Sequence, residues 1–162
     1  MLELTKGNLL EADAEALVNT VNTVGIIGKR IALQFRLALP RNHEIYRSAC
    51  KRGEVVPGKM FVVPTSRLDN PKFIVNFPPK RHWKGKSRIE DIHASLLDLV
   101  RYIRQENTVS IAVPPLGCGN GGLSWRDIRS GFCARSRHCQ AFTCVSSSRP
   151  ARCRLRTSPS PQ

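Results

Sequence analysis

A chain of 162 residues, 41% of them hydrophobic, carries enough apolar side chain for one sizeable core, which excludes a wholly disordered polypeptide. Its apolar runs fall well short of the ~20 residues that cross a bilayer, and its first residues lack the pattern of a secretory leader, so a cytoplasmic protein with no membrane contact is expected. A net charge of +14 points to a polyanionic partner, nucleic acid being the usual one.

In chain order, short β-type runs alternate with helical patterns. Strands are expected at Leu2–Thr5 and Ala16–Asn19. A helix over Gly28–Leu39 follows, with Ile31, Ala32, Phe35 and Leu39 on one face. A second, Pro40–Arg52, opens on a proline, which the first helical turn tolerates. Strands are then expected at Met60–Pro64 and Phe73–Phe77. Ser87 and Glu90 have the spacing of a capping box that would open a helix over Ser87–Gln105. Ile92, Leu96, Leu99, Val100 and Ile103 form its apolar stripe, and a strand at Val109–Val113 closes the alternation. The pattern predicts an α/β protein of three layers, α/β/α, around a mixed sheet.

Near residue 130 the texture changes. Residues 1–129 hold 20 Lys/Arg against 12 Asp/Glu, a balance of +8, whereas residues 130–162 hold six Arg and no acid. A domain over 1–129 and an atypical basic tail over 130–162, poorly packed and without regular elements, are expected. The tail has the composition both of a disordered basic segment and of translation in a shifted frame. Its four cysteines, separated by five, four and eight residues, fit no zinc-finger spacing, so no metal site is expected.

Three segments carry chemistry. Val18–Ala32 runs from a strand through Asn22, Gly25 and Gly28 into a helix. Its glycines permit unusual backbone angles, and the helix start offers N–H groups to a pyrophosphate. The amide of Asn22 suits a ribose hydroxyl, although Asn and Gly also make ordinary turns. Val113–Trp125 places four glycines in six positions after a strand. No acid follows Asp127, so the dinucleotide-fold reading fails. A loop that hugs phosphates or a plain flexible loop remains. Asn76–Arg88 surrounds Trp83 with five Lys/Arg and His82. This suits a single nucleic-acid strand, with charge for phosphates and an indole to stack on a base. A solvated basic loop has the same composition.

Taken together, the three segments resemble the macrodomain family over about residues 1–129. That resemblance implies two ADP-ribose loops. The first, with Asn22, Gly25, Ile26, Ile27, Gly28 and Lys29, would hold the distal ribose and the adenosine-side phosphates. The second, with Pro115, Leu116, Gly117, Cys118, Gly119, Asn120 and Gly121, would hold the pyrophosphate. An acid near the chain start holds the adenine amino group in the family; Asp13 lies near that place but off its commonest position. The segment Asn76–Trp83 is similar to the DarG branch, antitoxins of DarT toxins. This implies hydrolysis of ADP-ribose from thymidine in single-stranded DNA, with Lys80 catalytic, Arg81, Trp83, Lys84 and Lys86 on the DNA, a DarT-like toxin as partner and no cofactor. A neutral Lys80 amine would attack the anomeric carbon or assist opening of the ribose ring, and Arg81, Lys84 and Lys86 would disfavour its charged form. Two other readings are an ADP-ribose reader without turnover and a truncated, inactive homologue. A third is a plain single-strand binder that ignores ADP-ribose. Arg30 departs from the family, which usually has glycine there.

Overall fold

The computed structural model describes residues 2–82, 84–85, 88–114 and 116, with the backbone alone for 2–6 and 142–146. The elements are β1 (Leu2–Lys6), a 3-10 turn (Leu9–Glu11), β2 (Ala16–Asn22), α1 (Arg30–Ala38), α2 (Pro40–Lys51), β3 (Phe61–Pro64), β4 (Phe73–Lys80), α3 (Ile89–Gln105), β5 (Ile111–Val113) and β6 (Phe142–Ser146). They build one mixed sheet in the order β1-β6-β5-β2-β4-β3, parallel except where β3 meets β4.

Alternation along the strands sorts side chains to two faces. Ala16, Val18, Val75, Phe77, Ile111 and Val113 face α3, where Ile92, Leu96, Leu99 and Ile103 form the expected stripe and are almost wholly buried. Leu17, Ile74 and Ala112 point the other way, onto Phe35 of α1. Val21 meets Tyr46 and Ala49 of α2. Each large apolar side chain so buried contributes ~1.5–3 kcal/mol. The three-layer α/β/α architecture expected from the sequence is therefore the one observed, and no described helix is long and apolar enough to cross a membrane.

Three local expectations need correction. Helix α3 opens at Ile89 with Arg88 as its N-cap, and no side chain caps it. Ser87, the expected cap, lies outside the described residues, while Glu90 and Asp91 still place acid in the first turn, where the helix dipole favours it. Strand β4 does not stop at Phe77 but continues through Pro78 and Pro79 to Lys80. Prolines cannot donate to a ladder, yet here none is asked of them. The pairing with β3 ends at Asn76, and the register with β2 slips between Thr20↔Phe77 and Asn22↔Lys80, three residues of β4 against two of β2. The third correction falls on the tail. No strand was expected beyond residue 129, but Phe142–Ser146 enters the sheet between β1 and β5. The remaining residues of 130–162 lie outside the described residues.

A buried polar cluster ties α2 to the sheet. Asn19 and Asn76 are register partners, and Asn76 accepts from Asn19 (3.1 Å) and from Asn42 of α2 (3.3 Å) while donating back to Asn42 (2.9 Å). Asn19 Oδ1 has no hydrogen-bond partner among the described residues. Such a network in an apolar surrounding fixes the placement of α2, because breaking it strands buried amides.

Candidate active site

Parallel α/β sheets bind ligands beyond the carboxyl ends of their strands. At that end stand Asn22, the last residue of β2, and Lys80, the last of β4, paired in register at the usual strand spacing of about 4.8 Å. Strand β5 runs the same way, so Pro114 leaves the sheet toward this end.

Asn22 organises the loop that follows it. Its Nδ2 donates to the Ile26 carbonyl (2.6 Å), and its Oδ1 accepts from the N–H groups of Val24 (3.0 Å) and Ile26 (3.4 Å). The Tyr46 hydroxyl of α2 donates to the Asn22 carbonyl (2.5 Å) and accepts from its N–H (3.3 Å). Burial pushes the Tyr46 phenol up, which keeps it a donor. Asn22 is thus foremost the keystone of its own loop.

Within the loop, Gly25 adopts φ +77°, and a Cβ built there would lie 3.3 Å from Cys50 Cβ. Gly28 is different: its φ is not positive and a Cβ there would meet open space, so only the first glycine is required by its conformation. Arg30 takes the left-handed angle instead, at φ +56°, as the first residue of α1. Lys29, the N-cap, makes no side-chain cap bond, so the first N–H groups of α1 remain without a side-chain acceptor. Ile27 is buried, whereas Ile26 and Val24 are exposed at the rim. Arg36 donates to the Ile27 carbonyl (3.0 Å) and braces the loop from α1.

Lys80 is half-buried, and desolvation lowers its pKa from the ordinary lysine value of 10.5. This differs in cause from the like-charge repulsion expected from its neighbours. Arg81 turns to Asp91 on α3 with two hydrogen bonds of 3.1 Å, so its charge is matched. Beyond it, His82 and Lys84 are exposed on a turn closed by Gly85 N–H to the His82 carbonyl (3.1 Å). Trp83, Lys86, Pro115, Gly117, Cys118, Gly119, Asn120 and Gly121 lie outside the described residues; Leu116 is buried in the core beneath α3.

Asp13 stands at the opposite end of the sheet. It accepts from Asn70 (2.7 Å), just before β4 begins, and precedes the first residue of β2. The residue of the β1–β2 connection that does follow a carboxyl strand end is Asn8, which caps the 3-10 turn. Sequence reasoning also passed over Thr23 and Tyr46. Only the register of β2 against β4 and the packing of α2 reveal their roles.

A mixed sheet lies between helical layers, with a glycine-bearing loop at a strand end leading into α1, and the Macro domain profile matches residues 18–130: the chain belongs to the macrodomain family. Within that family its likeness is to DarG. The macrodomain of Mycobacterium tuberculosis DarG superposes with a TM-score of 0.87 at 49% identity, covering 92% of this chain and 99% of that one. The DNA ADP-ribosyl glycohydrolase of M. tuberculosis is 58% identical over 128 residues, 79% of this chain but 36% of that protein. Thermosipho africanus DarTG in complex with ADP-ribose gives a TM-score of 0.80 at 29% identity, covering 89% of this chain and 41% of that one. The chain therefore spans just over a third of the length of the curated relatives it matches.

Proposed function

We propose that this macrodomain removes ADP-ribose from thymidine in single-stranded DNA, as a cytoplasmic antitoxin opposed to a DarT-like toxin. One observation carries the reading: a desolvated lysine and a ribose-loop asparagine are register partners at the ligand end of the sheet. The loop from Asn22 to Lys29 holds the distal ribose, and the segment from Pro115 to Gly121 holds the pyrophosphate. Lys84, Trp83 and Lys86 lie along the strand of DNA, with Arg81 turned toward Asp91 as the support of that turn. The relatives named DNA ADP-ribosyl glycohydrolase, and the DarTG structure with ADP-ribose, support this assignment.

Chemically, the neutral Lys80 amine is the working form. It adds to the anomeric carbon as the glycosidic bond breaks and the departing base takes a proton from the amine, or it adds to the same carbon after the ribose ring has opened and expels the protonated base to leave an iminium; water then adds, releases ADP-ribose and returns the amine. The lysine and water suffice for either route. Because desolvation lowers the Lys80 pKa, turnover rises with pH through a midpoint below 10.5.

The test is release of ADP-ribose from a thymidine-modified oligonucleotide. Lys80→Ala is expected to abolish turnover while calorimetry still detects ADP-ribose binding. Turnover equal to that of the unaltered protein would refute the lysine mechanism. Binding with no turnover by the unaltered protein would instead establish a reader module.

A further inference from the structure

The backbone that carries Lys80 is held more firmly than a strand end needs to be. Before it come Pro78 and Pro79, both buried, whose rings fix φ. After it, the Arg81 side chain is anchored to Asp91. Between these, Thr23 reaches across from the other strand. Its N–H donates to the Lys80 carbonyl (3.2 Å), prolonging the β2–β4 pairing by one rung past Asn22. Its hydroxyl then donates to the Arg81 carbonyl at 2.5 Å. Thr23 is half-buried and directly follows Asn22, so one residue links the ribose loop to the two peptide units that follow Lys80.

We infer that Thr23 is a positioning residue for the glycohydrolase reaction: its hydroxyl locks the Lys80–Arg81 backbone against the ribose loop and so sets the reach of the Lys80 amine. The inference rests on the reading of Lys80 given above. A main-chain clamp suits this task because a lysine carries four flexible bonds, and an error in its root is magnified at Nζ. Displacement by ~1 Å at a reacting atom costs on the order of a hundredfold in rate. Were the clamp to loosen and water to reach the half-buried Lys80, the amine would recover its charge.

The experiment compares the full chain with Thr23→Val, Thr23→Ser and Lys80→Ala on thymidine-modified single-stranded oligonucleotide, with ADP-ribose calorimetry and a thermal melt for each. Thr23→Val keeps the shape and the N–H but loses the hydroxyl. Its kcat is expected to fall tenfold or more, its ADP-ribose affinity to stay within twofold, and its pH–rate midpoint to move up toward that of a free lysine. Thr23→Ser, which keeps the donor, is expected to restore kcat to within threefold. An unchanged kcat in Thr23→Val overturns the inference, as does a Thr23→Ser variant as slow as Thr23→Val. If Thr23→Val melts early, Thr23→Ala removes the same hydroxyl without a methyl against the Arg81 carbonyl, and the same two results decide. Full activity in Lys80→Ala is a separate outcome that removes the catalytic reading itself.

Discussion

Replacing Arg30 by glycine should stabilise this protein. Arg30 opens α1 at φ +56°, in the left-handed region where a Cβ crowds the following carbonyl, at a cost of ~1–2 kcal/mol. Glycine escapes that cost but loses more freedom on folding, about 0.5–1 kcal/mol. The side chain is exposed and forms no ion pair among the described residues, so little else opposes the exchange. A net gain of up to about 1.5 kcal/mol is expected, or at most roughly 6 °C in Tm for a chain of this size. Arg30→Ala supplies the control, since alanine keeps the Cβ and the strain while removing the guanidinium. Urea melts of the three proteins separate the terms: glycine above alanine, with alanine level with arginine. Equal stability for the glycine and alanine variants would refute the argument from backbone angle. A marked loss in both would show instead that the guanidinium makes a stabilising contact.

Other expectations follow from the same loop and from one ion pair. Gly25→Ala should destabilise by ~1–2 kcal/mol or more, because the left-handed angle is joined by a 3.3 Å approach to Cys50 Cβ, whereas Gly28→Ala should be nearly neutral; denaturant midpoints of the pair check this. Glu15 accepts from the Val109 N–H (2.8 Å) and pairs with Lys72 (3.2 Å), which together hold its carboxyl below 4.5. Its depressed pKa contributes stability above the unfolded carboxylate value, lost as pH falls through the folded one. Glu15→Gln should therefore lower the melting midpoint at pH 7, with the difference from the parent protein vanishing once both are measured below the carboxylate range.

Much of this architecture can be read from residue order. The stripe from Ile92 to Ile103 specifies α3 and the face it covers, and the alternation in Ala16–Asn22 orients β2. The sequence offers Lys80 and Asn22 as candidates but does not show that they are neighbours. Their adjacency depends on β4 running on through two prolines, and local rules assign prolines to a strand end. Thr23 gave no signal because its hydroxyl bonds a main-chain carbonyl 58 positions away. Asp13 misled for the opposite reason: an acid close in sequence to the first loop lies a full strand length from it in space. Arg30 was marked by resemblance alone, and its backbone angle now gives that mark a physical meaning. Strand β6 was hidden by its surroundings, since Phe142–Ser146 is a brief β-prone run among arginines and serines, and only its pairing with β1 and β5 distinguishes it.

That pairing joins two segments far apart in the sequence, Leu2–Lys6 and Phe142–Ser146. Among the described residues β1 pairs only with β6, so Leu2–Lys6 has no place in the sheet until residue 146 has been made. Nascent chains halted between β5 and β6 would carry an unpaired β1 and an open flank on β5, both ready to pair with other polypeptides. Assembly of this sheet is thereby tied to synthesis of a segment more than a hundred residues downstream of its first described strand.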